Sequence, residues 1–381
     1  MRSAVSEDVR AALIAAGSDP STRTVADALR TQRRVIDAGG LSTLVQQMRS
    51  DLSGFGPLDR LITLPDVTDI IVNGCREVYV DRGRGLEPVD VRFRDDEAVR
   101  RMVQRLATSV GRRIDDAHPY VDAPLPGGVR LHAVLPPLSD RVCVSLRLAR
   151  RDGLSAEELV AAETIARDLV SPLRDLIAAG MTFLVSGGTG SGKTTLLSAL
   201  LGLINPTKRL VIVEDTSELA PAHPHVIKLQ TRASNVEGRG AVSMRELVRQ
   251  AMRMRPDRLI VGEARGAEIV DLLSALNTGH EGGCGTIHAN SATDVPARVE
   301  ALAIAGGLNR EAAHSQLGAA LDAVLHLSRR VDGRRFVHHI AVLERDLSGL
   351  VRAVPAFEVD AGGSVRQCSG LAQWHRLVNR H

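Results

Sequence analysis

Aromatic side chains are nearly missing from this 381-residue chain: one Trp, two Tyr and five Phe, 2% of the total. Platforms that stack successive bases on aromatic rings, as single-strand nucleic-acid binders use, are therefore not expected. Lysine is also scarce. Lys193, Lys208 and Lys228 are the whole set, so 45 of the 48 basic residues are arginine. The four cysteines, Cys75, Cys143, Cys284 and Cys368, stand apart without a C-x-x-C pair. That argues against a cysteine-based zinc module or a disulfide framework and fits a reducing cytosol. Cys284 lies near His288, but no third partner completes a thiol–imidazole site, so Cys284 reads as a small packing residue. The N-terminal MRSAVSEDVR mixes charges and has no signal-peptide apolar core. No uncharged apolar run reaches the ~18 residues that span a bilayer. Any membrane role is expected to be peripheral. A net charge of +3 is too small to imply nucleic acid as a partner. What remains, 44% hydrophobic and 24% charged residues, is ordinary for a globular chain of two or three domains.

One stretch organises the rest. In Phe183 to Leu197, FLVSGGTGSGKTTLL, a short apolar run meets a glycine-rich turn and then a leucine-rich helical segment. Gly187, Gly192, Lys193 and Thr194 satisfy the phosphate-loop spacing G-x-x-x-x-G-K-[ST] in its expected strand-to-helix setting. Glycines allow backbone N–H groups to turn toward phosphate oxygens, and the helix N-terminus adds partial positive charge. A lysine's compact ammonium suits this point contact better than a planar guanidinium. Residues Gly187, Gly188, Thr189, Gly190, Ser191, Gly192, Lys193, Thr194 and Thr195 are the expected nucleotide-binding set, with the Thr194 hydroxyl on Mg²⁺.

Around this stretch the chain divides into four. Residues 1–50 read as an amphipathic helical appendage (Val9, Leu13, Ile14, Val25, Leu29, Leu44, Val45, Met48) punctuated by Asp19, Pro20 and Gly39-Gly40. Residues 51–150 read as a separate α+β domain. VTDIIVNG, EVYVDRG and PVDVRF are its first strands, and a helix follows from Asp95 to Val110. Two further strands run over Val129–Leu135 and Arg141–Leu148. Residues 151–180 are expected to be linker helices, one opened by Ser155-x-x-Glu158 and one by Ser171-Pro172, the latter closed by Gly180. From 181 to 381, strands alternate with helices, as in a doubly wound, mostly parallel sheet. Asp332-Gly333 marks a hairpin. The last 25 or so residues show no usable pattern.

Open α/β sheets bind ligands at the C-terminal ends of their strands. RLVIV is followed by Glu214, Asp215 and Glu218, RLIV by Gly262 and Glu263, and CGTI by His288. Glu263 is the leading candidate to activate water. Gly262 stands where many nucleoside triphosphatases place a metal-holding aspartate, so metal support falls to Glu214, Asp215 or Glu218. His288 either senses the γ-phosphate or is a hydrogen-bonded structural residue. Arg130, Arg141 and Arg147 lie on or beside the last strands of the 51–150 domain. They either form a solvated face or reach phosphates.

Four boxes now stand in order: GGTGSGKT (187–194), VIVEDTSEL (211–219), RMRPDRLIVGEARGAE (253–268) and NTGHEGGCGTIHAN (277–290). Together they resemble the nucleotide site of type II/type IV secretion ATPases, most closely the CpaF-like tight-adherence pilus branch. GFGPLDRL, VTDIIVNG and GRRIDDAHPYVDAPLPGG extend the likeness upstream, over roughly residues 50–345. Pro124, Gly127 and His132 depart from the branch, which usually has Arg, Asp and Asn there. The resemblance implies an ATP hydrolase with a RecA-like C-terminal domain, assembled as a homo-hexamer with nucleotide between two domains. It further implies that Arg130 and Arg147 reach the terminal phosphates, with Arg141 a weaker third. Such a motor would push on inner-membrane platform proteins to assemble a pilus or export protein. The alternative task is DNA transfer of the conjugation type. A small-molecule phosphotransferase is disfavoured, since no acceptor pocket is legible.

Overall fold

Strict alternation of apolar and polar residues builds the first sheet. In the computed structural model, strands β1 (Asp69–Asn73), β2 (Glu77–Asp81), β3 (Leu86–Pro88), β4 (Tyr120–Leu125), β5 (Val129–Val134) and β6 (Cys143–Leu148) are ordered β3-β2-β1-β6-β5-β4. All their pairings are antiparallel. Val121, Ala123, Leu131, Ala133, Val144 and Leu146 are buried on one face. Helix Asp96–Ser109 adds Val99, Val103 and Leu106 to the same core. Asp95 caps this helix by accepting from the Ala98 N–H at 2.7 Å.

The structure describes residues 8, 9, 11–13, 15, 16, 20–32, 37–64, 66–83, 85–148, 153–232, 234, 239–277, 282–330, 332–360 and 362–380. Ile14, Asp19, residues 151 and 152 of the expected linker, and residues 278–281 of the histidine-containing box fall outside them. Two units emerge, residues 1–149 and 150–381.

In the first unit, three readings change. The third strand is Leu86–Pro88, ahead of the expected PVDVRF, because the Val91 N–H closes on the Val89 carbonyl at 2.9 Å and turns the chain there. Strand β4 was not expected. Pro124 disguises it, yet β4 is an edge strand, where a missing N–H is tolerated. Gly127 sits in the turn from β4 to β5 with φ +79°, a left-handed conformation that a side chain would strain. Gly39 and Gly40, expected as punctuation, lie instead in the first turn of helix Ala38–Ser53, which Asp37 caps through the Gly40 N–H. That helix and helix Thr22–Thr31 share a small core of Val25, Leu29, Leu44, Val45 and Met48.

In the second unit, nearly continuous apolar runs make strands buried on both faces. The sheet comprises strands β7 (Phe183–Gly187), β8 (Leu210–Glu214), β9 (Val226–Gln230), β10 (Arg258–Ala264), β11 (Cys284–Ile287), β12 (Ala323–Arg329), β13 (Arg335–Arg345), β14 (Val351–Val359) and β15 (Val365–Gln367), the residues of the edge strands β9 and β15 being half-buried or exposed. Their order is β15-β14-β13-β12-β7-β11-β10-β8-β9. The six from β12 to β9 run parallel, and β13 to β15 continue antiparallel. Helices Val170–Ala178 and Lys193–Leu201 cover one face, and helices Met244–Met252, Glu268–Leu276 and Val295–Ala305 the other. Cys284 is fully buried in this core, and burial pushes its thiol up to about 12.

Ser155 and Glu158 form the expected capping box. Ser171-Pro172 does not open its helix. That helix starts at Val170, following a 3₁₀ turn, and Leu169 at its N-cap makes no side-chain cap. Gly180, at φ +64°, ends it, and the Met181 N–H returns to the Leu176 carbonyl at 3.2 Å. The C-terminal stretch is ordered rather than patternless. It holds the end of β14, all of β15 and helix Leu371–Val378, whose Trp374 is buried edge-on against Phe357 at 5.5 Å. No described helix is long and apolar enough to cross a membrane.

Candidate active site

The phosphate loop follows β7 and opens helix Lys193–Leu201, with Gly192 at its N-cap in a left-handed conformation, φ +97°. A Cβ on Gly187 would sit 2.6 Å from both the Leu327 carbonyl oxygen and the Ser191 Oγ. At Gly190, φ +67° already disfavours a side chain, and a Cβ would meet the Arg329 guanidinium at 2.7 Å. Arg329, from β12, donates to the Gly190 carbonyl at 2.7 Å and braces the loop. Gly188, Thr189 and Gly190 are exposed, whereas Thr194 and Thr195 are half-buried in the first helical turn. The buried Ser191 Oγ has no hydrogen-bond partner. A bare cradle with an orphaned hydroxyl is the surface that phosphate oxygens complete.

Lys193 is buried, and its Nζ donates to the carbonyls of Gly187 (3.0 Å) and Gly188 (2.9 Å). Burial lowers its pKa, and the charges of Glu263 and Glu218 partly restore it. The same Nζ lies 3.4 Å from His288 Nδ1. An ammonium only donates, so Nδ1 accepts and the ring proton sits on Nε2. Nε2 is 2.6 Å from Glu263 Oε1, and Glu263 Oε2 accepts from Arg265 at 2.5 Å. The Nε2–Oε1 approach is a close contact without hydrogen-bond geometry, since Oε1 has no bonded partner. Burial, then the Lys193 charge, holds the His288 pKa below its ordinary value, which keeps the imidazole neutral. The strand ends thus bring Lys193, His288 and Glu263 into one row, with Arg265 behind the carboxylate.

Glu214 behaves differently from the expected metal ligand. It is 4% exposed, and its Oε1 accepts from the backbone N–H groups of Glu218 (3.0 Å) and Leu219 (2.9 Å). Burial raises its pKa to about 7. A Cβ on Gly262 would lie 2.6 Å from Glu214 Cγ, so the glycine exists to admit this side chain. Asp215 is exposed, and its Oδ1 accepts from the Thr231 hydroxyl at 3.2 Å. Glu218 is exposed at the turn that Glu214 anchors.

The three arginines of the first unit are all paired within its sheet. Arg130 and Arg147 are direct cross-strand neighbours on β5 and β6. Arg130 meets both oxygens of Asp122 (2.9 and 2.6 Å), lowering that carboxyl's pKa, and Arg147 lies 3.3 Å from Asp69. Arg141 lies 3.2 Å from Glu77. Two residues escaped the sequence reading: Arg265, though it lies inside a box already singled out, and Arg329, which no motif marks.

A phosphate loop between a parallel strand and a helix, with a carboxylate–imidazole pair at the neighbouring strand ends, defines a P-loop nucleoside triphosphatase. Residues 51–356 match the family described as "Type II/IV secretion system protein". A protein of Mycobacterium tuberculosis (strain H37Rv), assigned provisionally by name to conjugal transfer, is 52% identical over 324 residues. That alignment covers 83% of this chain and 92% of the relative. The conjugal transfer protein TrbB of Rhizobium radiobacter is 32% identical over 281 residues, 72% of this chain and 84% of its own. The solved ATPase DotB of Legionella pneumophila shares the fold, with a TM-score of 0.52 at 19% identity, over 75% of this chain and 79% of its own. The chain belongs to the type II/IV secretion system ATPase family and is an ATP hydrolase.

Proposed function

We propose that this chain is the ATP-driven motor of a conjugation-type transfer machine. The row Lys193–His288–Glu263 beside the glycine cradle carries the enzymatic half of this reading. Kinship to proteins named for conjugal transfer supports the task. Lys193 exchanges its loop carbonyls for the terminal phosphates, and the amides from Gly187 to Thr195 cradle the rest. Mg²⁺, when bound, neutralises developing phosphate charge. Thr194 and Asp215 suit it, whereas Glu214, committed to two backbone N–H groups, is a positioning residue for the Glu218 turn. Glu263 orients the attacking water, Arg265 pairs with that carboxylate and fixes its direction, and His288 offers its Nε2 proton toward the γ-phosphate. Arg130 and Arg147 supply further positive charge to the terminal phosphates. A homo-hexamer docked peripherally on inner-membrane platform proteins is the assembly this reading requires.

Pilus assembly is the second reading, favoured by the GRRIDDAHPYVDAPLPGG segment that resembles the tight-adherence branch. The two separate in the source organism when Lys193→Ala is scored in parallel for DNA transfer between cells and for surface pili. Loss of transfer with pili intact supports the first reading. Loss of pili with transfer intact overturns it in favour of the second.

A further inference from the structure

Away from the phosphate loop, strands β12, β13 and β14 carry imidazoles and a carboxylate that no step above uses. His326 pairs directly with His339 across β12 and β13, and His339 with Glu358 across β13 and β14. Neighbouring residues of a strand ordinarily face opposite sides. Here β13 has one residue more than β12 between the pairs His326–His339 and Leu327–Val337, and the extra residue is His338. Such a bulge re-aims a side chain. The His338 ring comes to lie beside that of His339, with centroids 3.9 Å apart.

One donor atom from each of His338, His339 and Glu358 then falls within 4.8 Å of the other two. His339 Nε2 is 3.7 Å from Glu358 Oε1, while its Nδ1 is buried without a hydrogen-bond partner. One ring and the carboxylate have aids to orientation. Ser328 Oγ lies 3.4 Å from His338 Nδ1, and Arg366 takes Glu358 Oε2, leaving Oε1 turned to the cluster. Partners of this kind set the direction of metal ligands.

We propose that His338, His339 and Glu358 form a binding site for a divalent transition-metal ion of the zinc class. Two imidazoles and one carboxylate form a three-ligand set that zinc accepts, with water in the fourth position. Hard oxygen-seeking ions such as Mg²⁺ would not select it. Donors about 2.1 Å from a tetrahedral ion lie about 3.4 Å from one another, so the His339–Glu358 pair is already near that spacing, and the widest pair, within 4.8 Å, must close by at most about 1.4 Å. The ion staples β13 to β14 next to β12. That strand carries Arg329 to the Gly190 carbonyl and His326 to within 2.9 Å of the Ser186 Oγ. The staple therefore stiffens the hairpin that braces the phosphate loop.

The competing explanation is a stacked histidine pair, flanked by Phe336 at 5.3 Å and neutralised by a carboxylate, with no ion. The full chain, stripped with chelator and re-equilibrated with zinc sulfate, decides between them. One tightly held zinc per chain is expected, together with a rise in Tm that magnesium does not produce. Glu358→Gln and His338→Gln should each weaken zinc binding at least 10-fold. Cobalt supplies a readout independent of the variants' folding: the wild-type chain should develop visible d–d absorption that zinc displaces. Absence of saturable zinc and cobalt binding to wild type, or unchanged affinity in both folded variants, would overturn the assignment.

Discussion

Replacing Gly262 with alanine tests the reason given for the missing aspartate. The new Cβ would lie 2.6 Å from Glu214 Cγ, 3.2 Å from its Oε1 and 3.3 Å from its Cδ. Glu214 has nowhere to retreat. It is 4% exposed on β8, which pairs in register with β10, and its Oε1 holds two backbone N–H groups. Overpacking a core of this kind costs about 1–3 kcal/mol. Disturbing the two hydrogen bonds adds about 1 kcal/mol. For a domain of this size each kcal/mol moves Tm by about 2–4 °C, so Gly262→Ala should lower Tm by about 4–16 °C in scanning calorimetry. The double variant Gly262→Ala/Glu214→Ala carries the sharper signal, because the vacated space accepts the methyl group. Its loss should be about 1–2 kcal/mol smaller than the sum of the two single losses. A single variant as stable as wild type, or strict additivity in the double, would refute the steric account of Gly262.

Two further outcomes follow. Burial raises the Glu214 pKa from 4.5 to about 7, so the folded chain keeps a proton that the unfolded chain loses. The associated stabilisation is complete below about pH 4.5 and lost as pH rises through about 7. Glu214→Gln should abolish a loss on the order of 3 kcal/mol over that window, seen by comparing Tm of variant and wild type at pH 5 and pH 8; a pH-independent difference would contradict it. Arg130→Ala and Arg147→Ala remove partly exposed ion pairs and should each cost under about 1 kcal/mol in urea denaturation while slowing hydrolysis. Unchanged turnover in both would leave the arginines as a solvated sheet face.

Much of the site was legible because it is local. The phosphate loop is a contiguous motif, and Glu263 and His288 each end an apolar run at the sheet edge where ligands bind. Gly262 was not interpretable from the chain alone, since its reason is the Glu214 side chain from a neighbouring strand. Arg329 was invisible for the same cause: it sits 139 residues from Gly190 in sequence. Strand β4 was hidden by Pro124, which only an edge position permits, and β14 by Pro355 at a register shift. The C-terminal helix was missed because it is short and buries only Trp374 and Leu377, with Trp374 meeting Phe357 from β14. His338 and His339 are neighbours in sequence, and only the bulge sets their rings side by side.

The central claim is that Glu263, next to His288 and Lys193, directs water onto the terminal phosphate. Single-turnover release of γ-phosphate with Mg²⁺, wild type against Glu263→Gln, measures this step directly when nucleotide affinity is determined alongside. Loss of the carboxylate should slow release by about 10²–10⁴-fold with affinity within a few-fold of wild type. Equal rates in the two proteins would contradict the mechanism.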